Sequence, residues 1–405
     1  MSTITTTTPA ATSTEDLPSG PAGRFTVGYR ALVAALKDAA LAVPSRPGVP
    51  VMGYLLAVVD DSSVTLTAFD FETAITVALP EAEDIEPGRM LIPHAEISKI
   101  LTAAVKGSTK ATVDAEMVTV AVDDGAPVVT IAGYGIPLAH DLELDAFPEV
   151  PATTPGTHVL DREPFAELVH RATTAADSAD LLPVLSGLRI ALDKDAVAVT
   201  ATDRYRLATG SVPATGTSTE TVILPAALTD KLIGRLETEQ IRIGLDVIAG
   251  TTWATIAGGD VTARVRVIEG DYPRVDSIIN TPSSATVTVD RVQLHKAAVR
   301  AAALMAGMGE KGAPLQVKIE QGTISLAPTR EGTAVTAPAL PADVNGLEGA
   351  AWSTGANPGY LVDALATMAG DKITVHVGEP TKPLKFTDDG AIEYLHLLMP
   401  VRLAR

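Results

Sequence analysis

The strongest constraint on this 405-residue chain is a threefold internal repeat. The segment Val64 to Asp70 (VTLTAFD) returns 133 residues later as Val197 to Asp203 (VAVTATD), and more loosely a further 127 on as Ile324 to Arg330 (ISLAPTR). A strand running into a proline ahead of a helical pattern occurs at Pro93 (MLIPHAEISKIL), Pro225 (VILPAALTDKL) and Pro358 (STGANPGYLVDAL), at spacings of 132 and 133. A short strand followed by an amphipathic helix begins at Phe25 (FTVGYRALVAAL), His158 (HVLDREPFAELV) and Thr286 (TVTVDRVQLHKAA). Three markers sharing one period point to three copies of one structural unit.

Within each unit the apolar period changes from about 2 to about 3.6 and back, twice, so each reads strand–helix–strands followed by strand–helix–strands. That is an α+β class. The prolines are expected at the first helical position, which needs no backbone donor. Segments such as VTVAV from Val118 and ARVRVIEG from Ala263 alternate as strands with one solvated face do. The pairs Asp124-Gly125, Gly258-Gly259 and Asp389-Gly390 read as hairpin turns. Pro, Thr and Ser cluster at Ala146 to Gly156 and at Ile279 to Ala285, which sets the expected domains at 24–150, 156–281 and 284–405. Residues 1–23, rich in Thr, Ser, Pro and Ala without a basic or apolar region, read as a disordered tail and not a signal peptide.

Several chemistries find no support. The chain has no Cys, so disulfides, thiolate nucleophiles and Cys-ligated metals are excluded. The histidines at 94, 140, 158, 170, 295, 376 and 396 show no HExxH or i,i+4 pairing, and no metal or cofactor is expected. Gly307, Gly309 and Gly312 spell GxGxxG, but they follow a helical pattern and precede a strand, the reverse of a dinucleotide site. No GxxxxGK[ST] occurs. Asp70 and Asp203 hold equivalent repeat positions, which suits a turn or cap better than catalysis. No catalytic residue is assigned. No apolar run approaches the roughly 20 residues that cross a bilayer, and a soluble, cytoplasmic protein is expected. The formal charge of -18 argues, at face value, against a general nucleic-acid binder.

The strings ATDRYRLA (Ala201 to Ala208), LLPVLSGLRI (Leu181 to Ile190), EGDYPRV (Glu269 to Val275), TKPLKF (Thr381 to Phe386) and LLMPVRL (Leu397 to Leu403), in that order, resemble the bacterial sliding clamp family, the beta subunit of DNA polymerase III. The resemblance covers everything after the tail, and the RYR and MPVRL forms look most similar to actinobacterial members. It implies a head-to-tail homodimeric ring of six similar domains, helices inside and sheets outside. The ring encloses duplex DNA without reading sequence and tethers the replicative polymerase. The implied partners are that polymerase, a clamp loader that would use the ATP, and other polymerases and repair proteins bearing short peptide motifs. A paralogue acting as a decoy for a clamp-binding compound, or as a repair-specific clamp, is the alternative.

If the repeat helices line a DNA channel, they should carry cations at helical spacings despite the acidic total. Arg30 with Lys37 and Lys99 with Lys106 are seven apart, and Lys231 with Arg235 and Lys296 with Arg300 four apart; Arg162, Arg171 and Arg291 add to the set. Any solvated helix carries such residues, and Glu96, Glu167, Asp230 and Asp363 lie on these helices too. The helix around Tyr360 to Met368 has no base. Arg46, in the loop AVPSRPGVP, either projects toward DNA as the resemblance implies or is an ordinary loop arginine.

The resemblance also implies a partner-peptide groove built from Leu185, Thr202, Arg204, Tyr205, Arg206, Leu207, Pro273, Ile278, Pro383, Leu397, Met399, Pro400, Val401 and Arg402. Apolar anchor pockets and an adaptable Met suit a short linear peptide, with Arg206 and Arg402 available for its polar or carboxylate groups. Arg204 and Tyr205 replace the Gly and His of many clamps. Without the resemblance, Leu185, Leu207 and Leu397 read as core.

Overall fold

The computed structural model describes residues 20–152, 156–177, 182–310, 312–331, 333–347, 349 and 351–403. The tail expected over 1–23 falls outside them up to residue 19. All three strand-then-helix markers form. The strand Arg24–Gly28 leads into the helix Tyr29–Ala39, His158–Asp161 into Arg162–Thr173, and Ala285–Asp290 into Arg291–Gly307. The second helices are His94–Ala104, Ala226–Arg235 and Pro358–Ala366. Only Pro358 is a first helical residue, behind Asn357, whose side chain accepts from the Tyr360 amide. Pro93 and Pro225 instead close the preceding strands. The correction has a simple cause. A strand-ending proline keeps φ near −65° while ψ stays extended, here φ −68° and ψ 107° at Pro93, so the helix begins one residue later.

The helices bury one stripe each. Tyr29, Leu32, Ala35, Leu36 and Ala39 face inward on the first, leaving Arg30 and Lys37 on the opposite face. Leu294, Ala298, Ala301 and Met305 do so on Arg291–Gly307, with Lys296 and Arg300 outward. Asp124-Gly125 forms a two-residue hairpin with both residues at positive φ, as do Ala132-Gly133 and Ala249-Gly250. At the expected Gly258-Gly259 turn the connecting residues are Gly259 and Asp260, because Gly258 is still paired, opposite Val261.

The chain divides into two compact units, residues 1–162 with 231–267, and 163–230 with 268–405. The cut runs through the second repeat because each unit contains a sheet that crosses a repeat junction. In the first unit, strand Val261–Arg266 pairs antiparallel with Thr73–Ala78, Val265 opposite Thr73. In the second, Arg206–Pro213 pairs antiparallel with Glu393–Leu398, Arg206 opposite Leu398. The two pairings are equivalent in the repeat, and they leave neither junction as an open sheet edge. A four-stranded sheet, in the order 339–341, 323–327, 315–320, 352–356, joins strands of the third repeat's two halves. The chain's end is stitched beside it. The Val401 amide donates to the Gly355 carbonyl, and a Cβ at Gly355 would lie 2.4 Å from the Val401 carbonyl oxygen, so that crossing requires glycine. Among the described residues no helix is long and apolar enough to cross a membrane.

Candidate functional site

The first two copies of the repeat have the same turn after the strand that first revealed it. Asp70 Oδ1 accepts from the amides of Glu72 (3.0 Å) and Thr73 (2.6 Å). Asp203 Oδ1 accepts from those of Tyr205 (2.9 Å) and Arg206 (2.8 Å). The residue after each aspartate is left-handed, Phe71 at φ 71° and Arg204 at φ 78°, and Glu331 occupies the matching place in the third copy at φ 50°. An aspartate that caps its own turn permits that backbone.

What surrounds the turns differs. At the first junction Phe69 and Trp253 pack with ring centroids 6.2 Å apart, Phe71 lies 5.5 Å from Phe69, and Val51, Ala74, Leu91 and Phe147 complete a buried cluster. At the second, Leu207, Val275 and Leu397 form a smaller cluster with Ile278 and Ile279 packed on it. There a cavity of about 150 Å³ stays open, lined by Thr202, Arg204, Arg206, Leu207, Pro273, Arg274, Val275, Ile278, Leu397 and Met399.

Eight of the sequence-derived groove residues thus meet around one cavity: Thr202, Arg204, Arg206, Leu207, Pro273, Ile278, Leu397 and Met399. Arg274 and Val275 were not among them, although both stand in the quoted string EGDYPRV. Leu185, Tyr205, Pro383, Pro400, Val401 and Arg402 lie off the lining. Leu185 is core, 1% exposed, beneath the strand that follows it. Tyr205 is 58% exposed and packs on the Tyr360 ring, and Val401 is committed to Gly355.

Arg206 is not a free cation. Its Nε donates to Asp203 (2.9 Å), its Nη1 to Asp363 (2.7 Å), and its guanidinium sits 4.4 Å from the Tyr360 ring centre. Two carboxylates therefore already share its charge, through Nε and one hydrogen of Nη1, while the residue stays on the cavity lining. The cavity's walls are fixed from behind. Tyr272 donates its hydroxyl to the Thr200 carbonyl, and burial pushes its phenol pKa up. The Lys385 amine donates to the carbonyls of Ile279 (2.6 Å) and Thr281 (2.5 Å), capping the short helix Asp276–Ile279; burial lowers its pKa.

Of the proposed DNA-facing cations, Arg30, Lys37, Arg46, Lys99, Lys106, Lys231, Arg235, Lys296 and Arg300 are exposed. Arg30, Lys37 and Arg235 line one cleft of about 800 Å³ with Arg162, beside Asp38, Glu81, Glu237 and Asp260. Arg30 pairs with Asp114. Lys296 and Arg300 border a largely apolar groove of about 450 Å³ that also contains Leu304, Met308 and Val335.

Arg171 is the exception and corrects the reading. Its side chain is 4% exposed, paired with Asp388 and with Glu167 (3.2 Å), and lies 3.8 Å over the Tyr394 ring. It cannot reach DNA. It belongs to a buried network in which Tyr394 bonds the Arg171 carbonyl (3.1 Å) and His396 Nδ1 (3.0 Å). One phenolic hydrogen serves one acceptor. If it goes to the carbonyl, His396 carries its hydrogen on Nδ1, and the buried Nε2, which has no partner, is left only as an acceptor. Burial, with Arg206 and Arg171 nearby, drives the His396 pKa down to about 3, and Tyr394 is pushed up to about 12 mainly by burial.

Sequence comparison places known proteins beside this geometry. Residues 24–127 match the N-terminal domain of the DNA polymerase III beta subunit, 159–274 its central domain and 276–402 its C-terminal domain. A beta sliding clamp of Streptomyces coelicolor is 28% identical over 388 residues, covering 92% of this chain and 97% of its own length. One from Micrococcus luteus is 28% identical over 75% of this chain and 94% of its own. In fold, the DNA polymerase III subunit beta of Pseudomonas aeruginosa superposes with a TM-score of 0.81 at 21% identity, covering 94% of this chain and all of that one. The Bacillus subtilis sliding clamp gives 0.80 at 21%, over 95% and 100%. With three consecutive domains matched in order across nearly all of its described length, the chain belongs to the DNA polymerase III beta subunit family.

Proposed function

We propose that this chain is a DNA sliding clamp: two copies close head to tail around duplex DNA, and the open cavity at the second repeat junction holds the replicative polymerase by a short peptide. The family is a non-catalytic processivity factor. The observation that carries the partner-binding half is the contrast between junctions, since equivalent turns frame a filled cluster in one place and an apolar cavity in the other. The domains are taken as 24–150, 156–281 and 284–405. Clamp loader, other polymerases and repair proteins would share the cavity, in the cytoplasm at the nucleoid. Nine exposed cations, Arg30, Lys37, Arg46, Lys99, Lys106, Lys231, Arg235, Lys296 and Arg300, would contact phosphates weakly and without sequence preference.

The test is topological. Loaded onto nicked circular DNA, the protein should stay bound at salt that abolishes binding to open linear DNA, and should extend product length in a loader-dependent primer-extension assay. Equal loss from circle and line defeats the ring. Retention on circles without stimulation of the polymerase instead favours the paralogue or decoy role.

A further inference from the structure

The repeats join twice within the chain, and at the second joint an arginine lies over a tyrosine. Arg171, the tenth residue of the helix Arg162–Thr173, sits 3.8 Å from the centre of the Tyr394 ring, with Asp388 and Glu167 neutralising it. The third repeat presents the same arginine with nothing opposite it. Arg300 is the tenth residue of Arg291–Gly307, is exposed and without an ion pair among the described residues, and borders the apolar groove with Leu304, Met308 and Val335.

The first repeat presents the matching tyrosine. Thr119 lies opposite Thr130 and Val129 opposite Ile136, as Thr374 lies opposite Thr387 and Phe386 opposite His396, so Tyr134 holds the place of Tyr394. Tyr394 is 3% exposed, whereas Tyr134 is 69% exposed on a strand, Tyr134–Pro137, that ends its sheet. The strand Ala339–Pro341, whose Leu340 lines the groove, also ends its sheet, at the place where the first two repeats pair across their junctions. Resting on the head-to-tail ring proposed above, we infer that Arg300 of each copy lies over the ring of the partner's Tyr134 at the joint between copies. Arg300, set among the phosphate contacts by its exposure in a single chain, is committed there instead.

This joint differs from the one inside the chain in its charges. Where Asp388 follows Thr387, Ile131 follows Thr130, and where Glu167 stands one turn before Arg171, Lys296 stands one turn before Arg300. Both carboxylates are gone, and Lys296 adds a like charge at i,i+4. The attraction left to the guanidinium is that of the ring face, which strengthens as the contact excludes water. A carboxylate restored at position 296 should therefore tighten the joint.

The experiment is sedimentation of the full chain over a concentration series, which reads the dimer dissociation constant. Tyr134→Ala and Arg300→Gln should each raise it about tenfold, the effect counting twice because two joints close a ring. The double variant should be no weaker than the weaker single one, since each joint holds one of each residue. Tyr134→Phe keeps the ring face and should hold the parent value. Lys296→Glu should lower the constant about threefold at low ionic strength, and that gain should vanish in the Arg300→Gln background. Unchanged circular dichroism establishes that each variant folds. Effects that multiply in the double variant, a Tyr134→Phe as costly as Tyr134→Ala, or a Lys296→Glu gain that survives Arg300→Gln overturns the pairing while the ring stands. A parent chain that stays monomeric at every concentration removes the ring reading and this one with it.

Discussion

The turn at Asp70–Thr73 and the turn at Asp203–Arg206 have the same hydrogen bonds and the same left-handed residue, yet they border opposite things. Across the sheet the main chain also agrees: the Arg266 amide bonds the Glu72 carbonyl as the Met399 amide bonds that of Tyr205. The divergence lies in side chains. Trp253, Phe147 and Phe69 fill the first junction, whereas Leu207, Val275, Ile278 and Leu397 only line the second. The cavity here is what remains when a repeated frame is furnished with smaller groups. The lesson is that the backbone supplies the place and side-chain volume decides whether it is vacant.

Emptying the filled junction should have the largest effect. Trp253→Ala removes a side chain only 6% exposed and should cost about 3–5 kcal/mol in urea unfolding. Met399→Ala, at the cavity's exposed rim, should stay within about 0.5 kcal/mol. Similar costs for the two would break the contrast. Acid comes next, and only the second junction places a buried histidine in its path. The residue equivalent to His396 at the first junction is Ala263, buried and without a charge to gain. His396 has a pKa near 3 in the fold against 6.5 as its ordinary value. Between those values the unfolded chain binds a proton that the native one refuses. The stability this supplies is complete above pH 6.5 and is lost as pH falls toward 3, with a slope of at most about 1.4 kcal/mol per pH unit. His396→Gln should flatten that slope, whatever it does to stability at pH 7; an unaltered slope assigns the acid sensitivity elsewhere.

A smaller pair of changes tests the shared frame. Asp70→Ala and Asp203→Ala each strand two backbone amides and should cost roughly 1–3 kcal/mol, with Asp203→Ala the costlier because it also frees Arg206. A negligible cost at one site would mean that the turns are alike in shape only. The smallest effect is expected at Arg402→Ala, whose exposed charge lies off the cavity lining and should shift peptide affinity by about twofold or less. A tenfold loss would extend the site to the chain's end.

Much of this frame is legible in the sequence because it is local. Strand period, helix period and the aspartates at 70 and 203 each act within a few residues, and the repeat presents every such signal more than once. The family strings likewise bring eight groove residues together. What escapes is set by distant partners. Arg171 has the spacing of a solvent-facing cation, but Asp388, 217 residues away, draws it into the interior. Arg206 reads as a free charge until Asp363, 157 residues on, is seen beside it. Arg274 lies in a loop without periodicity, where no pattern of apolar and polar residues reports which way the wall of a cavity runs.

The left-handed residue shared by positions 71, 204 and 331 has a consequence for how such a chain diversifies. A non-glycine residue there bears roughly 1–2 kcal/mol of backbone strain, whether it is Phe, Arg or Glu. The strain belongs to the inherited main chain, so exchanging the side chain leaves it nearly constant. After duplication of an ancestral unit, that one codon could drift toward a plug, a cation or an anion without asking the strands on either side to move. The same turn is therefore a slot whose occupant can change what a junction accepts without changing the architecture around it.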